Sequence, residues 1–205
     1  MTRSVRAYIG LGANVGDARR TLAVAVAALD GLPGVRVRAV SPLYRTAPVG
    51  VADQPDFLNA VVALDAPAGS DPEAGAVALL VGLKQLERES GRIQRYRWGP
   101  RELDLDLLVF GRARLAVVRP PAAVPLSAVI DASATGRLLE VPHPSMAERL
   151  FVLAPLADLA PGLVPPGWRE TLATARRRVA AIAGPDAARR VGAWNATRGG
   201  WVGDA

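Results

Sequence analysis

The segment that most restricts how this chain can fold is Leu103-Asp104-Leu105-Asp106-Leu107, in which apolar and acidic residues change places at every step. A two-residue period marks a half-buried strand, so both carboxylates leave the backbone on one face while the leucines fill the other. Their Cα atoms then lie roughly 6.5–7 Å apart by the strand rise. Side chains so placed can converge on a pair of hard cations, because the metals of two-metal sites stand about 3.5–4 Å apart. An exposed edge strand can show the same alternation, so the chemistry has to be argued from what adjoins it.

The adjoining stretch is Gly91-Arg92-Ile93-Gln94-Arg95-Tyr96-Arg97-Trp98-Gly99-Pro100-Arg101-Glu102. Gly99-Pro100 breaks regular structure and marks a loop. A loop carrying Arg92, Arg95, Arg97 and Arg101 around an indole suits an anion that bears a planar ring, since guanidinium groups fork onto phosphate oxygens. Arginines for phosphate, a ring platform and paired carboxylates for Mg²⁺ point together to nucleotide phosphoryl transfer. A Walker loop is excluded: the single lysine lies in Leu83-Lys84-Gln85-Leu86, outside any glycine loop followed by Ser or Thr.

Gly91-Arg92, Arg97-Trp98-Gly99-Pro100-Arg101 and Leu103-Asp104-Leu105-Asp106 resemble the signature of the 6-hydroxymethyl-7,8-dihydropterin pyrophosphokinase family of folate biosynthesis. The resemblance covers about residues 5–165. It implies transfer of pyrophosphate from ATP, the co-substrate, to the dihydropterin, giving its diphosphate and AMP. Asp104 and Asp106 would hold two Mg²⁺ ions, and Arg92 and Arg101 would act on the phosphates.

Upstream, Val5 to Gly12 reads as a first strand followed by the turn Gly10-Leu11-Gly12-Ala13-Asn14-Val15-Gly16. The third glycine comes one residue late for a dinucleotide fingerprint, so a tight structural turn is expected. Asp17 caps a helix to about Asp30 with Leu22, Val26 and Leu29 on one face and Gly31 as its stop. A strand from Val35 extends through Pro42 to Arg45, and after a loop over 46–56 another runs from Phe57 to Leu64. Asn59 is the odd residue in that strand; an amide can donate to and accept from a heterocycle, though it can equally be a structural side chain. Tyr44-Arg45-Thr46, Pro48, Gly50 and Asp53-Gln54-Pro55-Asp56-Phe57-Leu58-Asn59 resemble the family's pterin segment. This implies Thr46, Ala47 and Val49 around the pterin edge, Phe57 stacking on the ring and Asn59 bonding it.

Asp71-Pro72 starts a second helix that runs to about Ser90 through Val77, Leu80, Val81, Leu83 and Leu86. Lys84 and Glu87 share a face near its end, as an exposed ion pair or as groups directed into the site. The order strand, helix, strand, strand, helix, strand predicts an α+β protein with a ferredoxin-like βαββαβ sheet, helices on one face and the other open to substrate. A pyrophosphokinase domain over 1–183 with C-terminal helical additions is expected. Residues 112–140 look like an inserted hairpin with a surface excursion. Further on, Val141-Pro142-His143-Pro144, Arg149 and Phe151 again match the family. The resemblance gives Lys84, Glu87, Arg92, Trp98, Arg101, Leu107, His143 and Arg149 to the nucleotide, and Phe151 and Trp98 also to the pterin. A helix over about 169–183 presents Arg176-Arg177-Arg178 as a solvated face. The tail, 184–205, is expected to be poorly ordered.

A net charge of +6 raises the question of nucleic acid. Nearly all of it is arginine in a chain rich in Ala, Val, Gly and Pro, as a GC-rich coding sequence gives. A basic RNA-binding module usually presents aromatics on its central strands, whereas here aromatics are only 5% and the fourth strand carries Asp104 and Asp106. The absence of cysteine, of a signal peptide and of a long apolar run leads us to expect a cytoplasmic protein. It is expected to act as a monomer on small molecules, without nucleic-acid or membrane partners.

Overall fold

The computed structural model describes residues 3–48, 53–91, 99–119, 136–184 and 186–203. β1 (Ser4–Ala13) pairs antiparallel with β4 (Phe57–Pro67) on one side and with β5 (Asp104–Phe110) on the other. The far edge of β4 carries β2 (Arg36–Val40) and β3 (Leu43–Thr46). One strand was expected there; Pro42, which has no N–H to give the ladder, divides it. Ser41 fills the gap, donating its N–H to Val61 O at 2.9 Å while its Oγ accepts from Val61 N at 2.9 Å.

α1 (Ala18–Asp30) and α2 (Pro72–Glu89) begin at the expected caps, with Asp17 accepting from Arg20 N and Asp71 from Ala74 N. α1 buries Leu22, Val26 and Leu29 as its spacing requires. α2 is turned slightly from expectation: Leu79, Leu80, Leu83 and Glu87 are buried, and Val81 faces solvent.

The helices are not confined to one side. Alternate residues of β4 enter two separate cores: Ala60, Val62 and Leu64 pack with α1 and α2, while Val61 joins Leu108 beneath α3 (Leu150–Leu159) and α4 (Leu172–Ala183). A strand covered on both faces has to be apolar at every step, which is why Ala60 to Leu64 shows no alternation. The expectation of a wholly open second face is therefore corrected: α3 and α4 cover much of it. A sheet so covered lacks the broad platform on which an RNA-binding module stacks bases.

β6 (Leu115–Val118) and β7 (Arg137–Val141) form the base of the expected hairpin. The tail departs from its reading. β8 (Arg189–Asn195) and β9 (Gly200–Val202) form a hairpin that extends the sheet along β3. Trp201, only 5% exposed, donates its indole N–H to Ser41 O at 2.8 Å and meets Trp194 edge-on at 4.7 Å. Arg19 of α1 donates to the carbonyls of Val191 and Gly203 at 3.1 and 3.2 Å. Glycines suggested disorder, but the tryptophans supply the apolar area that pins the hairpin down.

The three arginines of α4 are also less free than expected. Arg176 pairs with Asp158 at 2.6 Å and Arg178 with Glu170 at 2.8 Å. Asp158 also accepts the Tyr44 hydroxyl at 2.6 Å, tying β3 to α3 and α4. Burial, reinforced by that hydrogen bond, pushes the Tyr44 phenol up from 10.0 to about 12.

Trp201→Ala is expected to cost about 3–5 kcal/mol of stability, as for other buried tryptophans; denaturant unfolding measures it, and a loss under about 1 kcal/mol would show the hairpin to be dispensable. Tyr44 contributes stability that is complete below pH 10 and is lost as pH rises towards 12, because its raised pKa belongs to the folded state alone. The stability difference between wild type and Tyr44→Phe should shrink over that interval; a constant difference would contradict the assignment.

Candidate active site

β5 delivers the two carboxylates as its alternation requires. Leu105 and Leu107 are buried in the core, and Asp104 and Asp106 stand half-exposed on the opposite face. Opposite them on β1 are Gly12 and Gly10, and Gly12 in turn pairs with Asn59 of β4. Asp104, Gly12 and Asn59 therefore form one row across three strands, with Asp104 and Asn59 about 10 Å apart by two strand spacings. Glycine keeps the floor between them low: a Cβ at Gly12 would stand 3.3 Å from Asn59 Oδ1.

At one end of the row Asn59, 6% exposed, donates from Nδ2 to Thr46 Oγ1 at 2.8 Å. Its carbonyl oxygen is turned towards the glycine floor. Phe57 lies two residues before it on the same face, half-buried, and Ala47 is exposed just beyond β3. Phe151 opens α3, half-buried, with the Arg149 guanidinium 5.7 Å from its ring centre.

At the other end Arg101 forms an ion pair with Asp104. Asp104, and after it Asp106 and Glu87, hold the Arg101 guanidinium above its ordinary range, so the cation is secured in place. Lys84 and Glu87 are built into the strand rather than displayed as an exposed pair. Glu87 is fully buried; its Oε1 accepts the Leu105 N–H at 2.7 Å and Lys84 Nζ at 2.8 Å. Lys84 also donates to Leu105 O at 3.0 Å. The pair grips the backbone of β5 on the side away from β1, and Leu107 lies in the core, so neither Glu87 Oε1 nor the Leu107 side chain is presented to a nucleotide.

His143 follows the cis Val141–Pro142 bond and donates its backbone N–H to Leu108 O at 2.9 Å, beside the end of the acidic strand. Its Nδ1 accepts from Ser145 N at 3.3 Å, which leaves Nε2 as the donor of the neutral ring. Val49, Arg92 and Trp98, which the resemblance gives to the substrates, lie outside the described residues.

Among the described residues no group of three or more His, Cys, Asp and Glu side chains forms a cage for a metal. Two half-exposed carboxylates on one strand face suit Mg²⁺ instead, which keeps several waters and takes substrate phosphates as further ligands.

One residue that sequence reading left in a structural turn is central. Asn14, at the end of β1, binds Arg101 through both backbone and side chain and also reaches Gln54 and Pro55. An asparagine in a glycine turn carries no sign of partners 40 and 87 residues away.

The family model for 7,8-dihydro-6-hydroxymethylpterin-pyrophosphokinase (HPPK) matches residues 8–161. The 2-amino-4-hydroxy-6-hydroxymethyldihydropteridine pyrophosphokinase of Pseudomonas aeruginosa is 42% identical over 164 residues, 80% of this chain and 86% of that protein. The Bacillus subtilis enzyme of the same name is 41% identical over 153 residues, 75% and 77% of the two chains. The fold is shared with the wild-type HPPK-DHPS of Plasmodium falciparum at a TM-score of 0.70 and 13% identity, across 94% of this chain and 49% of that one. This chain thus spans about half of the plasmodial protein. With a family match over most of its length and relatives above 40% identity, the chain belongs to the 7,8-dihydro-6-hydroxymethylpterin pyrophosphokinase family.

Proposed function

We propose that this protein transfers pyrophosphate from ATP to 6-hydroxymethyl-7,8-dihydropterin in folate biosynthesis. The observation that carries the reading is the row Asp104–Gly12–Asn59, with Asp106 on the same face: an acid pair and a buried amide at opposite ends of a glycine floor. The amide end takes the pterin. Thr46, Ala47 and Val49 border its edge, Asn59 bonds it, Phe57 and Phe151 sandwich the ring, and Trp98 serves as a further aromatic contact. The acid end takes the triphosphate, positioned by Arg92, Arg101, His143 and Arg149, while Lys84 and Glu87 hold β5 in register.

In the reaction the hydroxymethyl oxygen forms a bond to the β-phosphorus, and the bond from that phosphorus to the oxygen bridging the α-phosphate breaks. AMP leaves with that oxygen, and the hydroxyl proton passes to solvent. Asp104 and Asp106 would hold two Mg²⁺ ions, which when bound offset the charge that repels an attacking oxygen. Arg101 stabilises charge as it develops on the phosphate oxygens.

We read residues 1–183, together with the β8–β9 hairpin that extends their sheet, as the pyrophosphokinase domain, with a ferredoxin-like βαββαβ core formed by β1 to β5 and their two helices, and with 112–140 as an insertion. The chain works as a cytoplasmic monomer on its two small substrates.

AMP release from Mg·ATP, with and without the dihydropterin, tests the reaction. Pterin-dependent AMP is expected, and retained nucleotide binding with no AMP would indicate a binding protein that has lost catalysis. Asp106→Ala should lower turnover at least about a thousandfold with its melting temperature little changed, because the half-exposed carboxylate serves chemistry rather than packing. Wild-type turnover of that variant at saturating Mg²⁺ would remove Asp106 from metal binding.

A further inference from the structure

The structure assigns Asn14 the task of coupling the two ends of the site. Its side chain is 5% exposed and offers one acceptor and two donors. Oδ1 accepts the Arg101 backbone N–H at 2.8 Å, and the Asn14 backbone N–H returns a bond to Arg101 O at 3.0 Å. Nδ2 donates to Gln54 Oε1 at 3.0 Å and to Pro55 O at 2.9 Å. The partners fix the amide's orientation, since a backbone N–H needs an acceptor and a carbonyl needs a donor.

These partners belong to the segments that carry the two substrates. Gln54 and Pro55 lead into Phe57 and Asn59, and Arg101 leads into Asp104. One buried side chain therefore sets the separation between the pterin segment and the guanidinium that faces the phosphates. Asp lacks the two donors, Ser has too few, and Gln is one methylene too long for the same position; only Asn meets all three demands. Asn14 is a positioning residue. It acts through Arg101 on the rate and through Gln54 and Pro55 on pterin affinity, and this rests on the phosphate role proposed for Arg101.

The experiment measures single-turnover AMP formation and the KM for the dihydropterin in wild type, Asn14→Ala, Asn14→Asp, Arg101→Ala and the Asn14→Ala/Arg101→Ala double variant. Thermal melts verify that each is folded at the assay temperature. Asn14→Ala should slow the reaction about 10- to 100-fold, the scale of a small misplacement of a reacting group, and should raise the pterin KM severalfold. In the Arg101→Ala background the same change should slow the reaction less than about threefold, because its route of action is already gone. Asn14→Asp keeps the acceptor for Arg101 and loses both donors, so it should recover most of the rate while the pterin KM stays raised. That split also decides the matter if Asn14→Ala does not fold.

Full multiplication of the two losses in the double variant would reduce Asn14 to an independent structural residue, and so would an Asn14→Asp rate as low as that of Asn14→Ala. Wild-type rate in Arg101→Ala alone would instead overturn the phosphate role of Arg101, a result distinct from failure of the coupling.

Discussion

The site depends first on a carboxylate buried beside β5. Glu87 is fully buried, and a buried charge is tolerated only when it is paired and hydrogen-bonded. Its partners include Lys84 on the same helix and the backbone N–H of Leu105. Among the described residues β5 is the outermost strand on that side of the sheet, and beyond its pairing with β1 this grip covers its edge at Leu105. Lys84 and Glu87 close that edge with the side chains of α2. Any slip of β5 by one residue would exchange Leu105 for an aspartate in the core and put leucines where Asp104 and Asp106 stand. The buried ion pair and the leucine packing forbid the same slip, and the geometry of the acid pair follows from both.

The second constraint is that the sheet is covered on two sides but not to its end. α3 and α4 lie over Val61 and Leu108, one step beyond Asn59 and Asp106, so the exposed patch begins where their packing stops. Gly10 and Gly12 lower the floor at that point. The floor of the candidate site is thus a part of the sheet that α3 and α4 do not cover, with half-buried rather than immersed carboxylates, where a cation can displace water without the full cost of burial.

Much of this was legible. The period-2 alternation at 103–107 gave the strand, its faces and the acid pair, because periodicity is a local property. Both helix starts followed from Asp17 and from Asp71-Pro72 for the same reason. The layer made by α3 and α4 was only half visible: Val152, Leu153 and Leu156 announced an apolar helix, but no local signal said that it lies over the far face of β4. The tail was misread because Gly199-Gly200 and Gly203 weigh towards disorder, whereas Trp201 and Arg19 act through contacts across 160 and 172 residues. Asn14 was missed on the same ground, since its bonds to Arg101 and Gln54 exist only after β1, β4 and β5 have paired.

The two ends of the site are consequently braced by different means. The acid end is held by two interactions of short sequence range, 84 with 87 and 101 with 104, and by longer ones, from Glu87 and Lys84 to Leu105 and from β1 to β5. The amide end is held by long-range ones: β3, which carries Thr46, is flanked by the C-terminal hairpin and anchored through Tyr44 to Asp158 and Arg176. Local ties form cheaply and leave little entropy to be overcome, whereas the long-range ties require the whole chain to have folded. A site whose acid and amide ends are braced by separate sets of contacts is kept at one separation by a direct strut between them, and Asn14 is a buried side chain that touches both.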